Sequence, residues 1–179
     1  MDGSGSAVVL VYPAGVSSNH RSPGTVQHMG FVPEDWVVPE PLSGLGFRLE
    51  PLGPEHNERD HDAWMSSIEH IHSTPGFDQP DSTWPVPMTL DRNLDDLTRH
   101  RSDFEERKGF TYSILDDDDD VVGCLYIYPS ESSDHDAAVS SWVRADRAEL
   151  DRQVWTAVGD WLRRAWPFET PDYAARPDS

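Results

Sequence analysis

The sequence predicts an α/β (α+β) domain in which helices flank a mixed central sheet, in the order βααβββαβ. Three observations predict it. Residues 136–168 run from a short apolar strand through one tight turn into a long amphipathic helix. Residues 89–108 repeat apolar side chains at helical spacing, and residues 110–128 hold two strand-like runs joined by an aspartate-rich turn.

Taken in order, residues 1–28 are rich in Gly, Ser and Pro without a sustained period, which predicts a disordered leader and leaves Met29 as an alternative start. Residues 29–45 interleave Phe31, Trp36, Val37 and Val38 with prolines, as expected of an extended arm docked loosely on a surface. The domain proper is expected over residues 46–176. Its first strand, Phe47 to Leu52, ends at Gly53-Pro54. Glu55 to His72 then places Trp64, Ile68 and Ile71 at helical spacing, and Pro75-Gly76 closes that helix. Thr89 to Lys108 carries Leu90, Leu94, Leu97 and Phe104 as one apolar stripe, with Asp91, Asp95 and Asp96 near its start, Arg107 and Lys108 at its end, and Gly109 as the stop.

Phe110 to Leu115 alternates Phe110, Tyr112 and Ile114 on one face. Asp116 to Asp120 reads as a solvated turn, because it lacks the spaced ligands and final Glu of a calcium loop. Val121 to Tyr128 is apolar on both faces, as an inner strand requires. Residues 137–144 form the next strand, residues 147–166 a helix burying Leu150, Val154, Val158, Trp161 and Leu162, and Tyr173 to Arg176 a terminal strand.

Composition narrows the function. With 33 acidic against 14 basic side chains, the net charge of −19 repels nucleic acid and anionic membrane. Every basic residue except Lys108 is Arg, a bias from which no function follows. Cys124 is the only cysteine, so neither an intrachain disulfide nor a CxxC metal site exists, and cytoplasm is the expected compartment. No apolar run approaches the roughly 20 residues of a membrane helix, and Ala7 to Tyr12 follows Asp2 instead of a basic region.

The strand-to-helix junction at 143–150 is a place where many α/β proteins hold phosphate, since a helix start offers free N–H groups and a positive dipole end. Here Asp146 stands where an N-cap would, with Glu149 three residues later. The pair reads as a capping box that satisfies those donors with the chain's own carboxylates.

The element order, with GFRLEPLGPEH opening the domain, GFTYSIL and VVGCLYIYPS forming the hairpin and SWVRADRAEL at the junction, resembles the GNAT-family N-acetyltransferases over roughly residues 46–176. The resemblance implies acetyl-CoA as cosubstrate. Its pantetheine would lie along Ser141, Trp142 and Val143, its pyrophosphate at the following helix start, and an amine would enter from the other side, with Tyr173 to Arg176 as the strand that splays away. The family's phosphate motif is Arg or Gln, two residues, Gly, one residue, then Gly or Ala. Arg144 matches its first position, whereas Arg147 and Glu149 stand at the two small-residue positions. Arg144, Arg147 and Arg152 either contact phosphate with their guanidinium groups or pair with Asp146, Glu149 and Asp151 on a solvated helix start. The family usually adds a helix and two strands after the position of Tyr173, so an uncovered sheet edge is expected, to be completed by the N-terminal arm or by a second copy in a homodimer.

Acyl transfer from thioester to amine needs a base for the ammonium proton and donors for the developing oxyanion. The strand at 137–144 holds no acid, which leaves Asp136 at its entrance and Glu69 on the first helix as candidate bases, each read more readily as a surface carboxylate. Tyr126, Tyr128 and above all Tyr173 are candidate proton donors, or else core and pocket wall. No metal is expected: His70 and His72 point to different faces, His56 and His61 are five apart, and no HExxH occurs. Cys124 reads as a buried small residue. The leading expectation is an acyl-CoA-dependent N-acetyltransferase of a small cationic amine. Its alternative is an acetyltransferase-fold module without catalysis that binds a small molecule or a partner protein.

Overall fold

A computed structural model describes residues 30–44, 46–80 and 82–177, so the expectations for residues 1–28 and for Met29 fall outside the described residues. The strands are β1 (Ser43–Gly44), β2 (Phe47–Pro51), β3 (Phe110–Leu115), β4 (Val121–Tyr128), β5 (Ala137–Val143) and β6 (Pro171–Tyr173). They lie side by side in sequence order. Every neighbouring pair is antiparallel except β5 and β6, which run parallel. The helices are α1 (Asn57–Met65), α2 (Ile68–His72), α3 (Leu90–Glu105) and α4 (Asp151–Ala165). The expected order therefore holds, with β1 added in front and the first helix divided in two.

β3 and most of β4 are buried on both faces, because each face supports its own core. On one face Phe47, Leu49, Phe110, Tyr112, Leu125 and Ile127 meet Val154, Val158, Trp161 and Leu162, the stripe that helical spacing assigned to α4. On the other, Leu115, Cys124, Tyr126 and Trp142 meet Leu52, Ala63, Trp64, Ile71 and Leu97 from the α1–α3 side. Cys124 is fully buried, which pushes its thiol pKa well up and leaves it inert.

The N-terminal arm packs more closely than expected. Val32 is buried, Phe31 stacks on Phe168 with ring centroids 5.2 Å apart, and Trp36 meets Trp166 at 5.0 Å. Arg107 fixes the backbone by donating to Pro33 O and Trp36 O at 2.9 and 2.7 Å. These aromatic contacts cover the open end of the α4-side core, and the rings bury more area than extended backbone could. The arm also supplies β1, which pairs with β2 at the edge opposite β6. The reversal uses positive φ at Gly44 and Gly46, where only glycine is unstrained.

The buried side of α3 differs from the apolar stripe. Leu90 and Leu94 are each 38% exposed, while Asn93, Leu97 and His100 face inward. Polar partners decide that orientation. Asn93 accepts from Trp64 Nε1 at 3.0 Å and donates to Asp60 at 3.0 Å, and the His100 ring lies 2.8 Å from Tyr128 Oη and 3.0 Å from Thr111 Oγ1.

Candidate functional site

The parallel pair β5–β6 opens into a fork. Pairing holds from Ala137 opposite Pro171 to Val139 opposite Tyr173, where β6 ends instead of continuing to Arg176. Past that point Ser141 and Val143 still turn their main-chain groups toward the fork, because the Arg144 N–H bonds Val122 O on the other side and alternation fixes the rest. Trp142, between them, points its indole into the core and donates to Tyr126 Oη at 3.3 Å.

Arg176 fills the fork. Its Nη2 donates to Ser141 O at 2.8 Å, its Nη1 to Pro75 O at 3.0 Å, and its Nε and Nη2 bind the two Asp151 carboxylate oxygens at 2.6 and 3.0 Å. The Arg176 side chain is only 3% exposed. Beside it Tyr173 Oη lies 2.6 Å from Ser141 Oγ, and burial pushes the phenol pKa up to about 12.

At the junction the structure corrects the expected capping box. Residues 145–150 form a 3-10 turn, and Asp146 is held by Arg144 through bonds of 3.0 and 2.8 Å instead of capping the helix. Glu149 is exposed. The first donor is met from across the fold: the Ala145 N–H bonds Ser67 Oγ at 3.0 Å, and the break between α1 and α2 places Ser67 there. Arg147 pairs with Asp116, which is buried and not solvated like the rest of its turn. Asp116 also accepts from the N–H groups of Asp118 and Asp120, both at 3.0 Å, so it anchors the hairpin turn. Arg152 donates to Pro177 O. Of the partners expected for these arginines, Asp146 is found with Arg144, and Asp151 binds Arg176.

On the α1–α3 side of the sheet a cavity of about 880 Å³ reaches from Asp60 on α1 to Val139, Ser140, Asp172 and Ala174 at the fork. Its walls carry Trp64, Phe77, Trp84, Tyr126 and Tyr128. Four carboxylates line it, those of Asp60, Asp78, Asp96 and Asp172, and among its described lining residues there is no lysine or arginine. Burial raises the Asp60 pKa to about 6 against the opposing Asn93 hydrogen bond, and burial also raises that of Asp96. His100, on the same wall, is pushed down to about 3 by burial and by Arg99, so it is neutral at pH 7.

A Vibrio cholerae protein assigned as a ribosomal-protein-serine acetyltransferase superposes with a TM-score of 0.58 at 10% identity, over 78% of this chain and 75% of its own. RimL, a ribosomal-protein acetyltransferase solved with coenzyme A, gives 0.51 at 10% identity over 70% and 69%. FdhC, a nucleotide-linked sugar GNAT, gives 0.51 at 11% over 76% and 72%. The fold is that of the GNAT acetyltransferases. No family model matches the chain, and no curated protein matches it either.

Within this GNAT fold the residues expected to act are scattered. Ser141, Val143 and Tyr173 meet at the fork, and Arg144, Arg147 and Arg152 surround the junction. Asp136 lies at the other end of β5, where its carboxylate accepts from the N–H groups of Glu169 and Thr170 and so fastens the turn into β6. Glu69 is exposed on α2 and does not line the cavity. The residues that spacing did not single out are Asp60, Asp96, Trp84 and Arg176. Asp60 left one signal: it shares the buried face of α1 with Ala63 and Trp64, three and four residues on, a position an aspartate occupies only with a reason.

Proposed function

We propose that the protein is an acetyl-CoA-dependent N-acetyltransferase of a small amine, with the amine entering the cavity and the cosubstrate lying along β5. The supporting observation is that one cavity joins a buried carboxylate, Asp60, to the β5–β6 fork. RimL and MccE, which share the fold, were solved with coenzyme A and with acetyl-CoA respectively.

The fork fits the cosubstrate only after one rearrangement, because Arg176 already occupies Ser141 O. With Arg176 withdrawn, Ser141 and Val143 would offer main-chain groups to an extended amide chain, and Arg144, Arg147 and Arg152 would offer guanidinium groups to phosphate in place of the glycine cradle. In acetyl transfer the amine nitrogen bonds the thioester carbonyl carbon as the carbon–sulfur bond breaks. Asp60, with a pKa of about 6, is a suitable acceptor for the ammonium proton near neutral pH. Tyr173, protonated at that pH, would hydrogen-bond the departing thiolate.

The occupied fork and the absent glycines also favour a second reading, a module that binds a small molecule in the cavity without catalysis. Calorimetric titration with acetyl-CoA separates the two: heat is expected on the first reading, and none from either wild type or Arg176→Ala removes it.

A further inference from the structure

The cavity's lining is specific enough to name a ligand class, which deepens the amine assignment above and rests on it for the acetyl-transfer role alone. Trp84 is the hub of the aromatic wall. Its ring centroid lies 5.6 Å from Phe77, 6.2 Å from Tyr126, 6.2 Å from Trp142 and 6.3 Å from Trp64. These rings come from four separate elements: the segment 75–84, α1, β4 and β5. Phe77 and Trp84 pack against the α1–α3 core but are only half-buried, and both line the cavity.

Charge selects among the molecules such a wall would accept. Asp60 on α1 and Asp96 on α3 face the same space, and Asp78 and Asp172 are exposed on its lining. Two cations stand just outside that lining, Arg99 at 3.9 Å from Asp96 and Arg176, which donates to Pro75 O and Ala174 O and is itself bound by Asp151. An anionic ligand would bring its charge among several carboxylates, and a neutral one would add nothing to balance them. A cation gains both their attraction and the negative faces of the rings. At about 880 Å³ the space is within the range of small-molecule sites and exceeds what a bare alkylamine would fill.

We propose that this cavity binds an amine carried on an aromatic ring, with the ring against Trp84, Phe77 and Tyr126 and the ammonium directed at Asp60 and Asp96. Ring and charge act together, so neither half of the ligand suffices.

Calorimetric titration at pH 7 without acetyl-CoA tests this with three probes: 2-phenylethylamine, phenylacetate, which keeps the ring and reverses the charge, and butylamine, which keeps the charge and lacks the ring. The expected result is binding of 2-phenylethylamine at least tenfold tighter than either of the others. Trp84→Ala and the half-buried Asp96→Asn should each weaken it several-fold while leaving the circular dichroism spectrum unchanged. Equal affinity for all three probes, tighter binding of phenylacetate, or no binding of 2-phenylethylamine at millimolar concentration overturns the inference. Amine binding in a protein that gives no heat with acetyl-CoA would remove the acetyltransferase reading and leave this one intact. Heat with acetyl-CoA but no discrimination among the probes would do the reverse.

Discussion

Arg176 and Asp151 form a two-pronged ion pair, Nε to Oδ2 at 2.6 Å and Nη2 to Oδ1 at 3.0 Å, that closes the fork between β5 and β6. Asp151 opens α4, where a carboxylate also meets the positive end of the helix dipole. The same guanidinium holds Ser141 O and Pro75 O, so one side chain ties α4, β5 and the segment after α2 together. Arg176→Ala should therefore cost about 3 kcal/mol, the lower end of the range for breaking a buried pair, since Asp151 remains 22% exposed. Urea denaturation checks it, and a loss below about 1 kcal/mol, the worth of an exposed pair, would show that the clamp is weak in solution.

Acid stability should be controlled by His100 more than by Asp60. The His100 pKa falls from 6.5 to about 3 on folding, so its contribution is present above pH 6.5 and is lost as pH falls toward 3. Asp60 acts oppositely: its pKa rises from 3.8 to about 6, so the folded state gains relative stability as pH falls through that window. The larger shift belongs to His100. Urea midpoints at pH 7 and pH 5 should fall further for wild type than for His100→Gln, and equal falls would contradict a buried neutral imidazole.

Two tryptophans at the end of α4 should matter about equally. Trp161 and Trp166 are 5% and 6% exposed, and their rings meet at 5.3 Å. Changing either to Ala should cost about 3 to 5 kcal/mol. Trp155, half-buried beside Tyr173, should cost under about 2 kcal/mol. A small loss at Trp166 would mean that the aromatic contact between arm and helix does not hold the core closed.

The junction yields a contrast between neighbours. Glu149 is exposed and caps nothing, so Glu149→Gly should cost less than about 1 kcal/mol. Arg147→Ala removes the cation facing buried Asp116 and should cost about 2 kcal/mol. Thermal melts giving the reverse order would restore the capping box that the sequence pattern implied.

The strands and α4 were legible in the sequence because their burial is apolar: alternation in Phe110–Leu115 and the Val154, Val158, Trp161 spacing state the core directly. α3 was legible as a helix, but its inward face was not, since Asn93 and His100 are buried by partners on α1, β3 and β4 that no local pattern reveals. Of the residues expected to act, Ser141, Val143 and Tyr173 are brought together at the fork. Arg176 reaches Asp151 across 25 residues and Pro75 across 101, contacts that only the folded chain brings about.

Calorimetric titration of acetyl-CoA into wild type and Arg176→Ala at moderate salt tests the central claim, that the β5–β6 fork is a cosubstrate site which Arg176 covers. Heat is expected from both proteins, with tighter binding by Arg176→Ala because Ser141 O no longer has to be vacated. No heat from either protein, with the variant shown to be folded, would contradict it.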